Sequence, residues 1–149
     1  MPKTMLRWAL KKPGQPVEEQ VAEISYKNDD ERSEKELKLA QQLVDGYVEV
    51  VWIGGDVKAI VNEEAMYREN MRPNCGFLGT IVFFRGDSAW FGSLTDEDVR
   101  KLKMWTVTHE NDVHPGDVPP QIFFGQAAEE YRKRLHDAQK LQQQEWESL

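Results

Sequence analysis

Apolar and polar positions change rhythm several times along this chain, and each change predicts an element. Thr4 to Leu10 reads as a short strand, stopped by Lys-Lys-Pro-Gly-Gln-Pro, whose prolines and glycine cannot continue a ladder. Glu18 to Tyr26, with Val17, Val21 and either Ala22 or Ile24 in uneven alternation, reads as a second antiparallel strand in preference to a short helix. A polar connector, Lys27 to Arg32, then leads to Ser33 and Glu36 at capping-box spacing. From that cap, Leu37, Ala40, Leu43 and Val44 recur at helical spacing, and Gly46 stands where a left-handed residue ends a helix, which predicts a helix over Glu34 to Asp45.

Tyr47 to Ile53 and Val57 to Val61 are β-branched runs joined by Gly-Gly-Asp, a hairpin expected at the centre of the sheet. Gly79 to Phe84 supplies another strand, Arg85 to Ser88 a turn, and Ala89 to Gly92 a short return with Trp90 or Phe91 inward. Thr95 caps a further helix, with Asp98 completing the box and Leu94 and Val99 placed for a hydrophobic staple. After Trp105 the run VTHENDVHPGDVPPQ is rich in Pro, Gly and Asp and reads as irregular.

A long polar helix follows, Gln126 to Glu147. Phe124, Ala128, Tyr131, Leu135 and Ala138 alternate steps of four and three, a seam continued by polar Gln142 and Glu145. This stripe fits packing onto the domain or onto a second subunit. The QQQEWESL end is expected to fray, so that loss of 139–149 would leave the fold intact.

The fold class expected is α+β: a small, mainly antiparallel sheet packed by helices at about 33–45 and 95–105, with an appended C-terminal helix. Residues 1–112 would form the core domain, 113–125 an irregular connector and 126–149 the helix. A chain of 149 residues suits one core, without disulfide or metal staples. The lone Cys75 and the lack of a leader-like apolar run point to a reducing cytoplasm, and no apolar stretch reaches the roughly 20 residues that cross a bilayer. A net charge of -7 opposes generic binding to phosphate backbones.

Candidate chemistry concentrates in two loops. In NEEAMYREN, Glu63 and Glu64 follow a strand, but adjacent positions point to opposite faces, so a carboxylate that holds a ligand amine or hydroxyl is a better reading than a general acid/base pair. In RPNCG, the turn could present Asn74 and Cys75 at a pocket. A lone Cys ahead of an apolar strand reads as a small buried side chain, and a nucleophile would need His109, His114 or His136 as base. HENDVHPGD has the composition of a metal loop without a diagnostic spacing. No Walker A, GxGxxG or GxSxG motif occurs.

GYVEVV at Gly46 to Val51, VNEE at Val61 to Glu64, the Pro73 and Asn74 pair, GTIVFF at Gly79 to Phe84 and LTDEDVRKL together resemble a family of small, functionally uncharacterised α+β domains found mainly in bacteriophages and mobile elements. The resemblance implies a non-enzymatic accessory protein of the host bacterial cytoplasm, with no cofactor. The leading expectation is a homo-oligomer that sequesters a small nucleotide-like signal of a host defence pathway. Asn62, Glu63, Glu64 and Asn74 would read base or ribose edges, Arg72 or a neighbouring cation would meet phosphate, and Tyr67 or a Trp would stack. The alternatives are an acidic inhibitor or nucleic-acid mimic that binds a host defence protein directly, through Glu18, Glu19, Glu23, Asp29, Asp30, Glu31 and Glu34, and a small metal- or Cys-dependent hydrolase.

Overall fold

A computed structural model of the chain describes residues 2–69, 71–86, 91–112 and 126–149. The strands are β1 (Lys3–Lys11), β2 (Glu18–Ser25), β3 (Val48–Gly54), β4 (Val57–Asn62), β5 (Pro73–Asn74), β6 (Phe77–Leu78) and β7 (Ile81–Arg85); the helices are α1 (Asp29–Val44), α2 (Asp96–His109) and α3 (Gln126–Ser148). Five strands form one antiparallel sheet in the order β2-β1-β7-β4-β3, and β5 and β6 make a separate hairpin. This is the α+β architecture that the sequence predicts.

Alternation along the strands divides the core between the two faces of the sheet. Leu6, Trp8, Leu10, Ile60, Val82 and Phe84 meet Ala40 and Val44 of α1 on one face. Ala9, Val57, Ala59, Val61, Ile81 and Phe83 meet Val99, Leu102 and Trp105 of α2 and Trp146 of α3 on the other. The start of α2 follows the expected local chemistry: Thr95 and Asp98 form a complete capping box, and Leu94 and Val99 are both buried.

Three expectations about these elements need correction. Helix α1 begins at Asp29, not Glu34, because the Asn28 side chain accepts from the Glu31 amide and three acidic residues fill the first turn. Glu36, released from capping duty, is buried, paired with Arg32 and accepts from the Phe91 amide; Leu37 is exposed. At the other end the left-handed residue is Asp45, at φ 59°, and Gly46 serves close approach instead, since a Cβ there would lie 2.7 Å from Asn62 Nδ2. Strand β3 is an edge strand, because β4 spends its second side on β7. Of the short return strand, Phe91 packs on Phe84 at 4.5 Å and Gly92 bridges to Arg85; Ala89, Trp90 and the turn at 87–88 lie outside the described residues.

The largest departure is at the end of α3. The apolar part of the stripe expected to pack is open where it is described, with Leu135 and Ala138 exposed, whereas its polar continuation, Gln142 and Glu145, does meet the domain; Phe124 and the side chains of Ala128 and Tyr131 lie outside the described residues, as does the connector expected over 113–125. The anchor is the segment expected to fray. Trp146 is only 4% exposed. Gln142 Nε2 donates to the carbonyls of Trp52 and Ile53 at 2.8 and 2.7 Å, and Gln143 Oε1 accepts from the Gly55 amide at 2.8 Å. Lys101 and Arg100 of α2 donate to the carbonyls of Trp146 and Leu149, supplying cations and donors where the helix ends. The Gly-Gly turn between β3 and β4 is the seat of the indole: a Cβ on Gly54 would lie 2.4 Å from Trp146 Cγ.

Candidate functional site

The residues expected to form one site divide into two kinds. Asn62 and Asn74 are buried and spend their amides on the fold. Asn62 Nδ2 donates to the Val44 and Asp45 carbonyls at the end of α1, and its Oδ1 accepts from the Glu64 amide at 2.8 Å. Asn74 Nδ2 donates to the Lys11 and Gly79 carbonyls, and its Oδ1 accepts from Lys11 Nζ at 3.1 Å. Glu63, Glu64, Tyr67 and Arg72 are exposed. Tyr67 closes a single 3-10 turn, Ala65–Tyr67, after β4.

Around that turn lies a groove of about 230 Å³ lined by Gln41, Gly46, Tyr47, Glu64 and Arg68. Asn62 holds its base rigid, by tying the end of α1 to the amide of Glu64. Arg68 pairs with Asp45 at 3.3 Å across an exposed contact, which a competing anion can displace at little cost. Of the expected residues, Glu64 lines this groove and Tyr67 is in the same turn; Asn74 and Arg72 belong to the β5–β6 hairpin region. Sequence reasoning missed Tyr47, Gln41 and Arg68. Their only sequence signal is position, beside the glycine that ends α1 and within the NEEAMYREN loop.

The β5–β6 hairpin points inward. Its turn residues Cys75 and Gly76 both have positive φ, 50° and 84°, as a two-residue primed turn requires. Cys75 is buried, with Sγ 3.5 Å from the Thr106 carbonyl. Burial pushes its thiol up to about 11, with Lys11 opposing the rise and Glu110 and Asp112 adding to it. A thiol held protonated in this way is a poor nucleophile. Beside it Lys11, 1% exposed, finds an acceptor for each of its protons in the Lys12 carbonyl, Asn74 Oδ1 and the Glu110 carboxylate.

His109 stacks on Trp105 at 4.4 Å and turns both ring nitrogens to carboxylates, Nδ1 to Asp112 and Nε2 to Glu145, each at 2.5 Å. Burial alone would lower its pKa, but the two carboxylates together outweigh burial and raise it above 6.5. The sign follows: a raised folded value stabilises fully below the unfolded value and is lost as pH climbs through the folded one. The bridge to α3 is therefore expected to hold best in mildly acidic buffer and to weaken with rising pH. Limited proteolysis of α3 across that range checks this, and Glu145→Gln should flatten the dependence. His114 lies outside the described residues and His136 is exposed on α3. Among the described residues no group of three or more His, Cys, Asp and Glu is placed to hold a metal ion, and no helix is long and apolar enough to cross a membrane.

No curated protein matches the chain, and no solved structure does. A family profile does match, over residues 7–106, from β1 into the last turn of α2, leaving α3 outside the match. That match spans well over half of the 149 residues, and the chain belongs to the family described as Domain of unknown function (DUF3846).

Proposed function

We propose that this protein is a non-enzymatic binding module that takes a small nucleotide-like molecule into the groove between the end of α1, the start of β3 and the turn after β4. One observation carries the reading: Tyr47, Glu64, Gln41 and Arg68 converge on a cleft beside Gly46. Together they offer a ring face, a carboxylate acceptor, an amide and a displaceable guanidinium, the four contacts that a base, a ribose and a phosphate call for. Tyr67, 75% exposed in the same turn, adds a second ring. At about 230 Å³, below the 300 to 1,000 Å³ of pockets that enclose a drug-sized ligand, the groove would hold one moiety, such as a base or a ribose phosphate, and leave the rest in solvent.

Set beside the resemblance to domains of bacteriophages and mobile elements, such a module would work in the host cytoplasm by withdrawing a defence signal. The acidic-inhibitor reading has less support. Much of the acidic surface is locally neutralised, with Glu23 on Lys3, Glu19 on Arg7, Glu31 on Lys35 and Glu34 on Lys38. A Cys-dependent hydrolase has less still, given a buried, protonated thiol.

Calorimetric titration with linear and cyclic mono- and dinucleotides tests the proposal. Binding is expected for at least one, weakened about tenfold or more by Arg68→Ala or Tyr47→Ala, the loss of one charge-assisted or stacking contact. Absence of binding at millimolar ligand would defeat the nucleotide reading, and binding indifferent to both substitutions would move the site elsewhere.

A further inference from the structure

The edge strand β3 offers an open ladder. The Glu63 amide donates to the Tyr47 carbonyl, and the register pairs Val48 with Asn62, Glu49 with Val61 and Val51 with Ala59. Hydrogen-bonded pairs alternate in an antiparallel ladder, so Tyr47, Glu49 and Val51 direct their backbone groups to β4 while Val48, Val50 and Trp52 direct theirs outward. The Trp52 carbonyl is taken by Gln142 of α3. The outward amides and carbonyls of Val48 and Val50 meet no donor or acceptor among the described residues.

The two edges of the sheet differ in how they are guarded. Strand β2 carries Glu18, Glu19 and Glu23, charges that discourage a foreign strand. Strand β3 reads Val-Glu-Val-Val-Trp-Ile, with Val50 half exposed and Tyr47 65% exposed beside it. An apolar, β-branched edge with unpaired backbone groups is a template for another extended strand.

We propose that the partner strand is β3 of a second copy, paired antiparallel about a two-fold axis at Val50. Three registers, with axes at Glu49, Val50 and Val51, place outward residues opposite each other near the middle of the strand; the last shifts the pairing onto Ile53 and Gly54, against the end of α3 that holds the Ile53 carbonyl. An axis at Glu49 sets that carboxylate directly against its symmetry mate, which is unfavourable. An axis at Val50 sets Glu49 against Val51, pairs Val50 with itself and puts Val48 opposite Trp52, whose carbonyl oxygen has a second lone pair beside the one Gln142 uses. The half-exposed Val50 side chains then cover one another, and two five-stranded sheets become one. Because Tyr47 lies at the start of the same strand, each groove gains the far end of the partner's β3 as a neighbour. The pairing does not depend on what the groove binds.

The register makes the test specific. Sedimentation velocity of the full chain is expected to show a concentration-dependent species of twice 17.3 kDa. Val50→Pro removes the central outward amide at an edge position where proline is tolerated, and should leave a folded monomer by circular dichroism. On mild oxidation Val50→Cys should give a reducible cross-linked dimer, with Cα atoms about 5.5 Å apart, whereas Glu49→Cys, about 8 Å from its mate, should not. A wild-type protein that stays at 17.3 kDa up to millimolar concentration, a dimer untouched by Val50→Pro, or cross-linking by Glu49→Cys in place of Val50→Cys would each overturn the proposal.

Discussion

Trp146→Ala is expected to lower the stability of the whole domain by about 3–5 kcal/mol, the range for truncating a buried aromatic. The indole lies in the same cluster as Ile53, Leu102 and Trp105, over two glycines, with the Lys101 ammonium 5.7 Å from its ring centre. Without it the Gly54-Gly55 seat is an empty slot that the hairpin cannot close, since its backbone is fixed by the β3–β4 ladder. For a chain of this length that cost converts to roughly 6–20 °C in Tm. Removal of 139–149 should do at least as much, because it also frees Gln142, Gln143 and Glu145 from their partners. Leu135→Ala, at a site 49% exposed on the same helix, serves as the control and should stay within about 0.5 kcal/mol. Thermal melts followed by far-ultraviolet circular dichroism decide the matter. A Trp146→Ala transition within about 2 °C of wild type would mean that the end of α3 is not part of the core.

Lys11→Ala is the second large loss, at about 3 kcal/mol, near the low end for breaking a buried ion pair because Glu110 retains partial access to water. One ammonium joins three distant parts of the chain: its own strand, the β5–β6 hairpin through Asn74, and the end of α2 through Glu110. The penalty arises mainly from what is left behind, the buried Asn74 amide oxygen without its donor, with a smaller share from a Glu110 carboxylate that water partly reaches. Lys11→Met keeps most of the volume but orphans the same acceptors, and should recover little. Adding Glu110→Gln to it removes the stranded charge and should restore about 1 kcal/mol or more, a coupling read directly from urea denaturation of the two single variants and the double. Additivity of the two would show that the pair contributes nothing to the fold.

What was legible beforehand was local. The Thr95 box and its staple could be read because every participant lies within a few residues, and the β-branched runs declared themselves strands wherever they ended up in the sheet. At α1 the cap read from the sequence was Ser33, whereas the helix starts five residues earlier at Asn28, which opens an additional turn that a polar, acidic segment can occupy without burying anything apolar. The central or edge status of β3 depends on β7 reaching β4 from more than 20 residues away, which no local pattern encodes. Trp146 was hidden by its neighbours: in QQQEWESL a single aromatic among polar residues has no periodicity, and the polar residues themselves turned out to be hairpin clamps. The site suffered from the same ambiguity. Asn62 and Asn74 stood out as loop and turn amides that could read a ligand, and the features that single out such an amide also describe one that caps a helix or closes a turn.

The strand order carries a consequence for how the chain reaches this state. β1, among the first residues, lies between β2 and β7, so its second ladder cannot form until a segment some 70 residues later has been positioned, and Trp146 closes on a turn about 90 residues behind it. Within the five-stranded sheet, among the described residues, the β1–β2 and β3–β4 hairpins are the pairings that can zip locally. The loop-closure entropy of the remaining pairings must be met before their contacts reward it, so folding is expected to be slower than for a helical bundle of this length. Until β7 inserts, both hairpins expose apolar edges, and the interval before that central strand arrives is when the chain is most vulnerable to association with its own kind.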